Sequence, residues 1–320
     1  MKLHTYNKMR KTIWERYRVA LGLLILIILS SIISPDFTRP TNIQNVVQRV
    51  SIMGIMAIGM TFVILSGGID LSVGSVLAAS ACLTAGAIKY YHLPVAISIL
   101  IGLLGGAFFG FLNGIFITQG KMQPFVVTLA LMTSVRGFAF LYTNGQPITL
   151  EPSEVPLLIN LGLGKIGNFL PTQTLIFIIV SLLAYLLLRF TSFGRYVYGL
   201  GGNEEAVRLS GVNVERVKVL IYTLSGLLSG LGGIMMVGFQ NGLANANFGL
   251  GYELSAIACV VIGGTSLAGG TGGVGNTVIG TLIIGILDNI LNLKGVGTYM
   301  QEMIRGAIII FAVYISKRKE

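Results

Sequence analysis

The sequence predicts an all-α membrane protein that crosses the bilayer about ten times. Hydrophobic residues make up 53% of its 320 residues, charged residues only 11%, and the mean hydropathy is +0.81. A water-soluble protein needs a larger charged surface than this. The apolar runs are also continuous, whereas a membrane β-barrel needs short segments in which polar and apolar residues alternate. We therefore expect one transmembrane helical domain over residues 1–320.

Each predicted crossing is a run of mostly apolar residues, long enough for a helix that pairs its own backbone groups inside the lipid. The first run follows a basic stretch and resembles a signal peptide, but residues 30–35 offer no cleavage site of small residues, so we expect a retained helix. The ten runs are 19–34, 50–65, 74–88, 94–118, 124–142, 171–190, 217–238, 253–268, 274–292 and 299–315.

The distribution of Lys and Arg predicts that both termini face the cytoplasm. With that orientation, fifteen of these residues fall on the cytoplasmic side and five on the outer side, which is the bias that orients helices during insertion. The same bias accounts for the net charge of +10, so binding to nucleic acid is not needed to explain it. The main cytoplasmic loop is then 191–216, and the largest external segment is 143–170.

A stripe of glycines marks the fourth predicted span. Gly102, Gly106, Gly110 and Gly114 recur every four residues, which places them on one face of a helix that can approach a neighbour closely. We expect this helix to be central in the bundle. Asn113 lies beside the stripe and is either an interhelical hydrogen-bond partner or a substrate contact.

Two further glycine clusters, 66–74 and 263–273, interrupt apolar runs, whereas the stripe is spaced along one run. Irregular backbone at membrane depth occurs where it is buried in protein or lines a cavity, and broken helices often shape transport pathways. Asp70 lies in the first cluster, just before the helix that begins near Ser72. Its carboxylate either caps that helix through an Asx-type turn or lines a pathway.

The sequence offers no catalytic set and no metal site. The two cysteines lie inside apolar runs, and the two histidines are isolated from any partner. Residues 270–277 approach a phosphate-binding loop but lack its lysine, and residues 162–167 match a dinucleotide-binding pattern without its strand and helix context. We therefore expect no enzymatic activity and no cofactor held by this chain.

Few charges fall within or near the spans. Glu302 and Arg305 stand three residues apart on one helix and are expected to pair, whereas Arg136 has no obvious partner. Asp288 and Glu302 lie towards the outer ends of their helices. An ion-coupled carrier should bury carboxylates near the membrane centre, so this placement argues against one.

Within the cytoplasmic loop, residues 202–211 predict a very short helix. Asn203 is a good N-cap, and Glu204 and Glu205 favour the positive end of the helix dipole. Arg208 suits the last turn, and Gly211 can take the left-handed conformation that ends a helix. Two turns of helix are marginally stable alone, so this segment should pack against a partner.

Four segments carry a resemblance to a known family: Ser66–Gly74, Gly194–Ala206, Leu209–Val212 and Val260–Gly270. They resemble the membrane permeases of ribose-type ABC sugar importers, and the resemblance extends over essentially the whole chain. It implies two permease subunits side by side, an ABC ATPase that binds the ATP, and a sugar-binding protein outside the cytoplasmic membrane of a bacterium. It also implies a coupling helix that docks into the ATPase, formed by Gly202, Asn203, Glu204, Glu205, Ala206, Val207, Arg208, Leu209, Ser210 and Gly211.

The resemblance implies that the protein carries a monosaccharide, ribose or a related sugar, delivered by the binding protein. The external segment 143–170 is a plausible part of that protein's docking surface. A neutral sugar calls for hydroxyl, amide and aromatic groups, and the candidate pathway residues are Asp70, Ser72, Asn113, Gln123, Phe125, Thr128, Asn144 and Thr265. An autonomous ion-coupled sugar carrier is the alternative, and a membrane-embedded enzyme is a third possibility with little support.

Overall fold

A computed structural model describes residues 19–167 and 169–317, and these residues are mostly helical. The predicted all-α fold is confirmed. A short 3-10 helix, Pro35–Thr38, precedes the second α-helix. The helices are α1 (Val19–Ile33), α2 (Pro40–Leu65), α3 (Val73–Lys89), α4 (Val95–Thr118), α5 (Pro124–Tyr142), α6 (Pro156–Leu163), α7 (Thr172–Phe190), α8 (Ser192–Leu209), α9 (Val214–Phe239), α10 (Tyr252–Ile262), α11 (Val274–Leu293) and α12 (Thr298–Lys317).

Every predicted span corresponds to a helix, with two large differences in the boundaries. Helix α2 begins at Pro40, ten residues before the predicted span, because the polar residues of its first turns continue the helix beyond its apolar part. Helix α10 ends at Ile262 instead of 268, because Gly264 adopts a positive φ of +88° directly after it. Helix α6 and the first half of α8 were not predicted.

Six of the described helices are long and apolar enough to cross a membrane: α2, α4, α5, α7, α9 and α11. Three more, α1, α3 and α10, are apolar but shorter. The chain is therefore a multi-pass membrane protein. The count of ten spans stays a prediction.

Helices α2, α3 and α9 form the centre of the bundle. In the most apolar window of α2, 78% of the residues are buried, against only 22% in α4. The glycine stripe of α4 is its one buried face, and this face lies against α9, where Gly106 and Gly110 meet Gly226. The prediction that α4 is central is therefore wrong. The stripe shows close packing on one side only, because small residues say nothing about what covers the other faces.

In the part of the chain that the structure describes, four two-residue strands lie in the connections between helices. Ile148–Thr149 pairs antiparallel with Leu243–Ala244, and Lys165–Ile166 pairs with Leu170–Pro171. The first pair joins the 143–170 segment to the connection between α9 and α10. Helix α6, in the same segment, packs through Gly162 against the backbone of Gly238 at the end of α9.

The charges within the spans are paired differently from the prediction. Arg305 pairs with Asp288 of α11, whose carboxylate lies 2.9 Å from the Arg305 Nη2 atom, and Glu302 is exposed. Arg136 donates to the main-chain carbonyls of Ala246 and Phe248, the second at 2.6 Å. Backbone carbonyls of a distant loop carry no signal in the sequence, so these partners could not be predicted.

We expect Gly110→Ala to lower the free energy of unfolding by about 1–3 kcal/mol, because the new methyl group would collide with the backbone of Tyr222 and Gly226. Gly137→Ala is the matched control on α5, since a Cβ atom there meets nothing within 4 Å. Thermal unfolding of the purified protein in detergent measures both. Equal stability of the two variants would contradict the close α4–α9 packing.

Candidate coupling and translocation site

The predicted coupling helix is the second half of α8. Residues Ser192–Leu209 are helical throughout except at Asn203, whose φ of −159° and ψ of 99° kink the helix. The Asn203 side chain caps the new turn, since its Oδ1 atom accepts a hydrogen bond from Ala206 N at 2.9 Å. Gly211 follows with a φ of +83°. The start and stop signals in the sequence thus produce the local geometry that they predict.

Ion pairs fix this short helix to the first turns of α9. Glu204 lies 2.6 Å from Lys218 Nζ and 3.5 Å from Arg208, and Arg208 lies 2.5 Å from Glu215. Each pair is partly exposed and stabilises little by itself, but together the four side chains form a network. Glu215 and Lys218 were not predicted as partners of this helix. Their charges are opposite to those of Arg208 and Glu204 and are visible in the sequence. The turn at 210–213, which brings the two residues beside the short helix, is not.

The first half of α8 contacts both glycine-rich connections at one point. A Cβ atom at Gly201 would collide with the carbonyl oxygen of Leu65 and the nitrogen of Gly270, and these two atoms are themselves hydrogen-bonded at 2.9 Å. Gly67 and Gly269 lie beside them. We call this contact between 66–72, 263–273 and Gly201 the glycine junction. The two clusters were predicted separately, and nothing in the sequence indicates that they meet.

Tyr198 adds a side-chain contact to the glycine junction. Its hydroxyl donates a hydrogen bond to the Gly272 carbonyl at 3.0 Å. Partial burial raises the pKa of Tyr198, and the positive charge of Arg189 acts in the opposite direction, so the hydroxyl keeps its proton and remains a donor at neutral pH. This contact fixes the orientation of α8 against the 263–273 connection.

The outer face of this short helix is exposed. Glu205, Ala206 and Leu209 are exposed, and Leu209 exposes 80% of its surface. Gly202, Ser210 and Gly211 are exposed as well, while Val207 is half-buried against α8 itself, near Gly199. The helix therefore presents a small apolar tip next to a carboxylate.

Asp70 is the centre of a buried polar network. Its side chain is 1% exposed, and its Oδ1 atom accepts hydrogen bonds from Ser72 N at 3.0 Å and Ser72 Oγ at 2.6 Å. Its Oδ2 atom accepts one from Ser225 Oγ of α9 at 2.9 Å, and Asn113 of α4 donates to Ser72 Oγ at 2.7 Å. The geometry is that of an Asx turn combined with an interhelical hydrogen bond. The network links α4 and α9 to the start of α3.

The remaining pathway candidates do not form one site with Asp70. Thr128 is close to it, because its hydroxyl donates to the Ile69 carbonyl at 3.3 Å. Thr265 is fully buried in the 263–273 connection. Gln123 and Phe125 are exposed at the beginning of α5, while Asn144 follows its end.

The length of α5 separates these exposed candidates. Nineteen residues at 1.5 Å each put Asn144 roughly 28 Å from Gln123. The eight candidates therefore divide into a buried group near the glycine junction and exposed groups at opposite ends of α5. Within the described residues, no three His, Cys, Asp or Glu side chains lie close enough together to hold a metal ion.

Together these features define a class: a multi-pass membrane transport subunit, with a capped surface helix fixed to two interrupted connections of its bundle. The comparison with known families agrees. The chain belongs to the family described as "Branched-chain amino acid transport system / permease component", whose model matches residues 42–313. The predicted resemblance to ABC permeases is confirmed.

Similar proteins cover nearly the full length of the chain. The ribose import permease protein RbsC of Bacillus subtilis is 47% identical over 93% of this chain and 92% of its own length. RbsC of Escherichia coli K12 is 43% identical over 94% and 93%. The L-arabinose transport system permease protein AraH of Escherichia coli K12 is 35% identical over 96% and 92%. These relatives support a permease role in an ABC importer.

Two neighbouring glycines test the glycine junction. We expect Gly201→Ala to lower the melting temperature of the purified protein and to speed trypsin cleavage after Arg208, because the methyl group would push α8 away from Leu65 and Gly270. Gly202→Ala should change neither, since a Cβ atom there has open space. Similar behaviour of the two variants would show that α8 does not rest on the connections.

Removal of the Asp70 carboxylate tests the buried network. We expect Asp70→Ala to cost about 2–4 kcal/mol of unfolding free energy, because Ser72 N and Ser225 Oγ would lose their acceptor in a buried place. Asp70→Asn should cost less, since it keeps one oxygen. Asp36→Ala, at an exposed ion pair with Arg39, should stay within about 1 kcal/mol. Chemical unfolding in mixed micelles ranks the three, and the reverse order would count against the network.

Proposed function

We propose that this chain is the permease subunit of a bacterial ABC importer that carries a monosaccharide, with pentoses such as ribose and L-arabinose as the first candidates. A binding protein outside the cytoplasmic membrane delivers the sugar, and a partner ABC ATPase binds and hydrolyses the ATP. Two permease subunits form the passage. The relatives named for ribose and L-arabinose import support the sugar class, because their similarity extends over more than nine-tenths of this chain.

The glycine junction is the observation that supports a mechanism in which closure of the ATPase moves the membrane spans. An ATPase that closes on ATP would push the exposed part of α8, residues 204–211, and the ion pairs to Glu215 and Lys218 would transmit that push to α9. Gly201 would transmit it to the connections 66–72 and 263–273. These connections lead into α2, α3, α10 and α11. Movement of one surface helix can therefore tilt several spans, which is what alternating access requires.

The orientation with both termini in the cytoplasm is part of this proposal. The excess of Lys and Arg on one side supports it. So does the glycine junction, because Gly201 meets Gly67, Gly269 and Gly270, and ten alternating spans with a cytoplasmic N-terminus place the loops 66–73, 191–216 and 269–273 on the cytoplasmic side. The strand pair between Ile148–Thr149 and Leu243–Ala244 brings together two segments assigned to the outside.

An autonomous ion-coupled carrier receives no specific support. The buried carboxylate of Asp70 accepts three hydrogen bonds, and Asp288 is paired with Arg305. Both carboxylates are held by fixed hydrogen-bond or ion-pair partners within the bundle, whereas a coupling carboxylate must bind and release its ion.

Reconstitution tests the proposed function. Proteoliposomes that contain this chain and its ATPase, supplied with the binding protein, should accumulate radiolabelled ribose or L-arabinose only when ATP is present on the ATPase side. Liposomes with the chain alone and a proton gradient should accumulate nothing. Uptake by the chain alone, or the lack of ATP-driven uptake of either pentose, would contradict the proposal.

We expect Leu209→Asp to reduce co-purification of the ATPase at least about tenfold, because a charge would replace the exposed apolar tip of the coupling helix. The matched control is Leu250→Asp, at a leucine that is 62% exposed in the connection before α10, at the predicted outer end. Pull-down from membranes that contain both subunits measures the effect. Full recovery of the ATPase with Leu209→Asp would place the docking surface elsewhere.

A further inference from the structure

A cavity of about 750 Å³ opens at one end of the bundle, away from the glycine junction. Its walls come from the first turns of α2, the end of α9, the beginning of α10, the end of α11 and the beginning of α12. All five are helix ends that the predicted orientation places on the outer side. The volume is within the usual range for small-molecule sites, about 300–1,000 Å³.

The lining is unusually rich in amides for a membrane domain. Four of these amides hold one another in pairs: Asn42 and Asn289 exchange hydrogen bonds of 3.1 and 2.8 Å, and Gln301 donates to Asn292 at 3.0 Å. Two others, Asn45 and Gln240, have no side-chain hydrogen bond within the described part of the chain. The first set shapes the cavity, and the second set is available to a ligand.

Charged groups in the cavity also keep hydrogen-bonding capacity. Asp288 uses its Oδ2 atom for Arg305, so its Oδ1 atom can still accept. The Nε atom of Arg305 is buried and has no partner among the described residues, and Arg49 is likewise without a side-chain hydrogen bond there. A buried donor without a partner is costly, so a ligand oxygen at this place would relieve that cost.

The chemistry of the available groups selects the ligand class. Asp288 Oδ1 can only accept, the two arginines can only donate, and Asn45 and Gln240 can do both. A hydroxyl group both donates and accepts, so a neutral polyhydroxylated molecule can satisfy all of them. A carboxylate could pair with Arg49, but it would also face Asp288, and Arg305 is already neutralised by its ion pair. Tyr252 also lines the cavity, and an aromatic ring can pack against the C–H side of a sugar.

We propose that this cavity is a binding site of the permease for a neutral monosaccharide, held by Asn45, Arg49, Gln240, Asp288 and Arg305. The proposal rests on the proposed import of a monosaccharide and adds that the permease itself recognises the sugar after the binding protein releases it. None of these residues was among the sequence-based pathway candidates. Their polar character was visible, but they come from four separate helices, and only the fold places them around one volume.

The test is equilibrium binding to the purified full-length chain in lipid nanodiscs, without the ATPase and without the binding protein. D-Ribose, L-arabinose and the anion ribonate are the probes, and saturation-transfer NMR detects even millimolar affinity. We expect saturable binding of at least one neutral pentose and weaker binding of ribonate. No saturable binding of either pentose, or tighter binding of ribonate, would overturn the proposal.

Matched variants locate the binding. Asn45→Leu and Gln240→Leu should each weaken pentose binding about fivefold to tenfold, the loss expected for one hydrogen bond. Gln44→Leu is the control, because Gln44 is adjacent in sequence but faces Lys165 at 3.1 Å and does not line the cavity. Both test residues are exposed, and size-exclusion chromatography verifies that the variants remain folded. An equal loss with Gln44→Leu, or no loss with both test variants, would contradict the site.

Parallel transport measurements separate this proposal from the proposed function. If reconstituted importer accumulates a pentose with ATP while the permease alone binds none, the cavity proposal fails and the import function stands. If the permease binds a pentose in a manner that depends on Asn45 and Gln240 but no ATP-driven uptake occurs, the site stands and the import function fails.

Discussion

Close approach of backbones at glycine is the constraint on which this structure depends. Between α4 and α9 it provides the packing contact, since lipid offers apolar helices little reason to associate except van der Waals contact. At the glycine junction it has a second consequence. Gly201 sits directly against the main chain of Leu65 and Gly270, so α8 and two interrupted connections meet without intervening side chains. Such backbone contacts transmit a displacement of α8 directly, because no side chain lies between the segments that could absorb it by changing its rotamer.

Buried polar groups provide a second set of connections between the helices. Asp70 is anchored by Ser72 and Ser225, so the start of α3 cannot shift without straining hydrogen bonds to α9. On the opposite end of the bundle, the Asp288–Arg305 pair joins α11 to α12 beside the cavity. Polar groups are costly in a membrane domain unless they are paired. Here they connect helices on both sides of the bundle, and between them lie α2, α10 and α11, which reach from the glycine junction to the cavity wall.

The sequence predicts local features, such as helix positions and caps, but not the contacts that depend on how the helices assemble. Apolar runs located the helices, and Asn203 and Gly211 predicted the bounds of the short helix at the end of α8, because capping depends on neighbours in the chain. The stripe at Gly102–Gly114 predicted a close contact but not the position of α4, since packing on one face leaves the others undetermined. The pairing of Arg305 with Asp288, and the meeting of Gly201 with two distant clusters, depend on how helices are arranged. Hydropathy and spacing contain no information about that arrangement.

Double electron–electron resonance between spin labels in the complete importer tests most directly whether α8 and the 263–273 connection move together. Spin labels on cysteines introduced at Ser210 and Gly275 report the distance between the coupling helix and the start of α11, and the two native cysteines are buried and therefore poorly labelled. If α8 and the 263–273 connection move together, the distance should change by less than about 2 Å between the nucleotide-free and ATP-trapped states, the scale of a packed helix shift. A change of about 5 Å or more, the scale of a one-turn slip, would contradict the account.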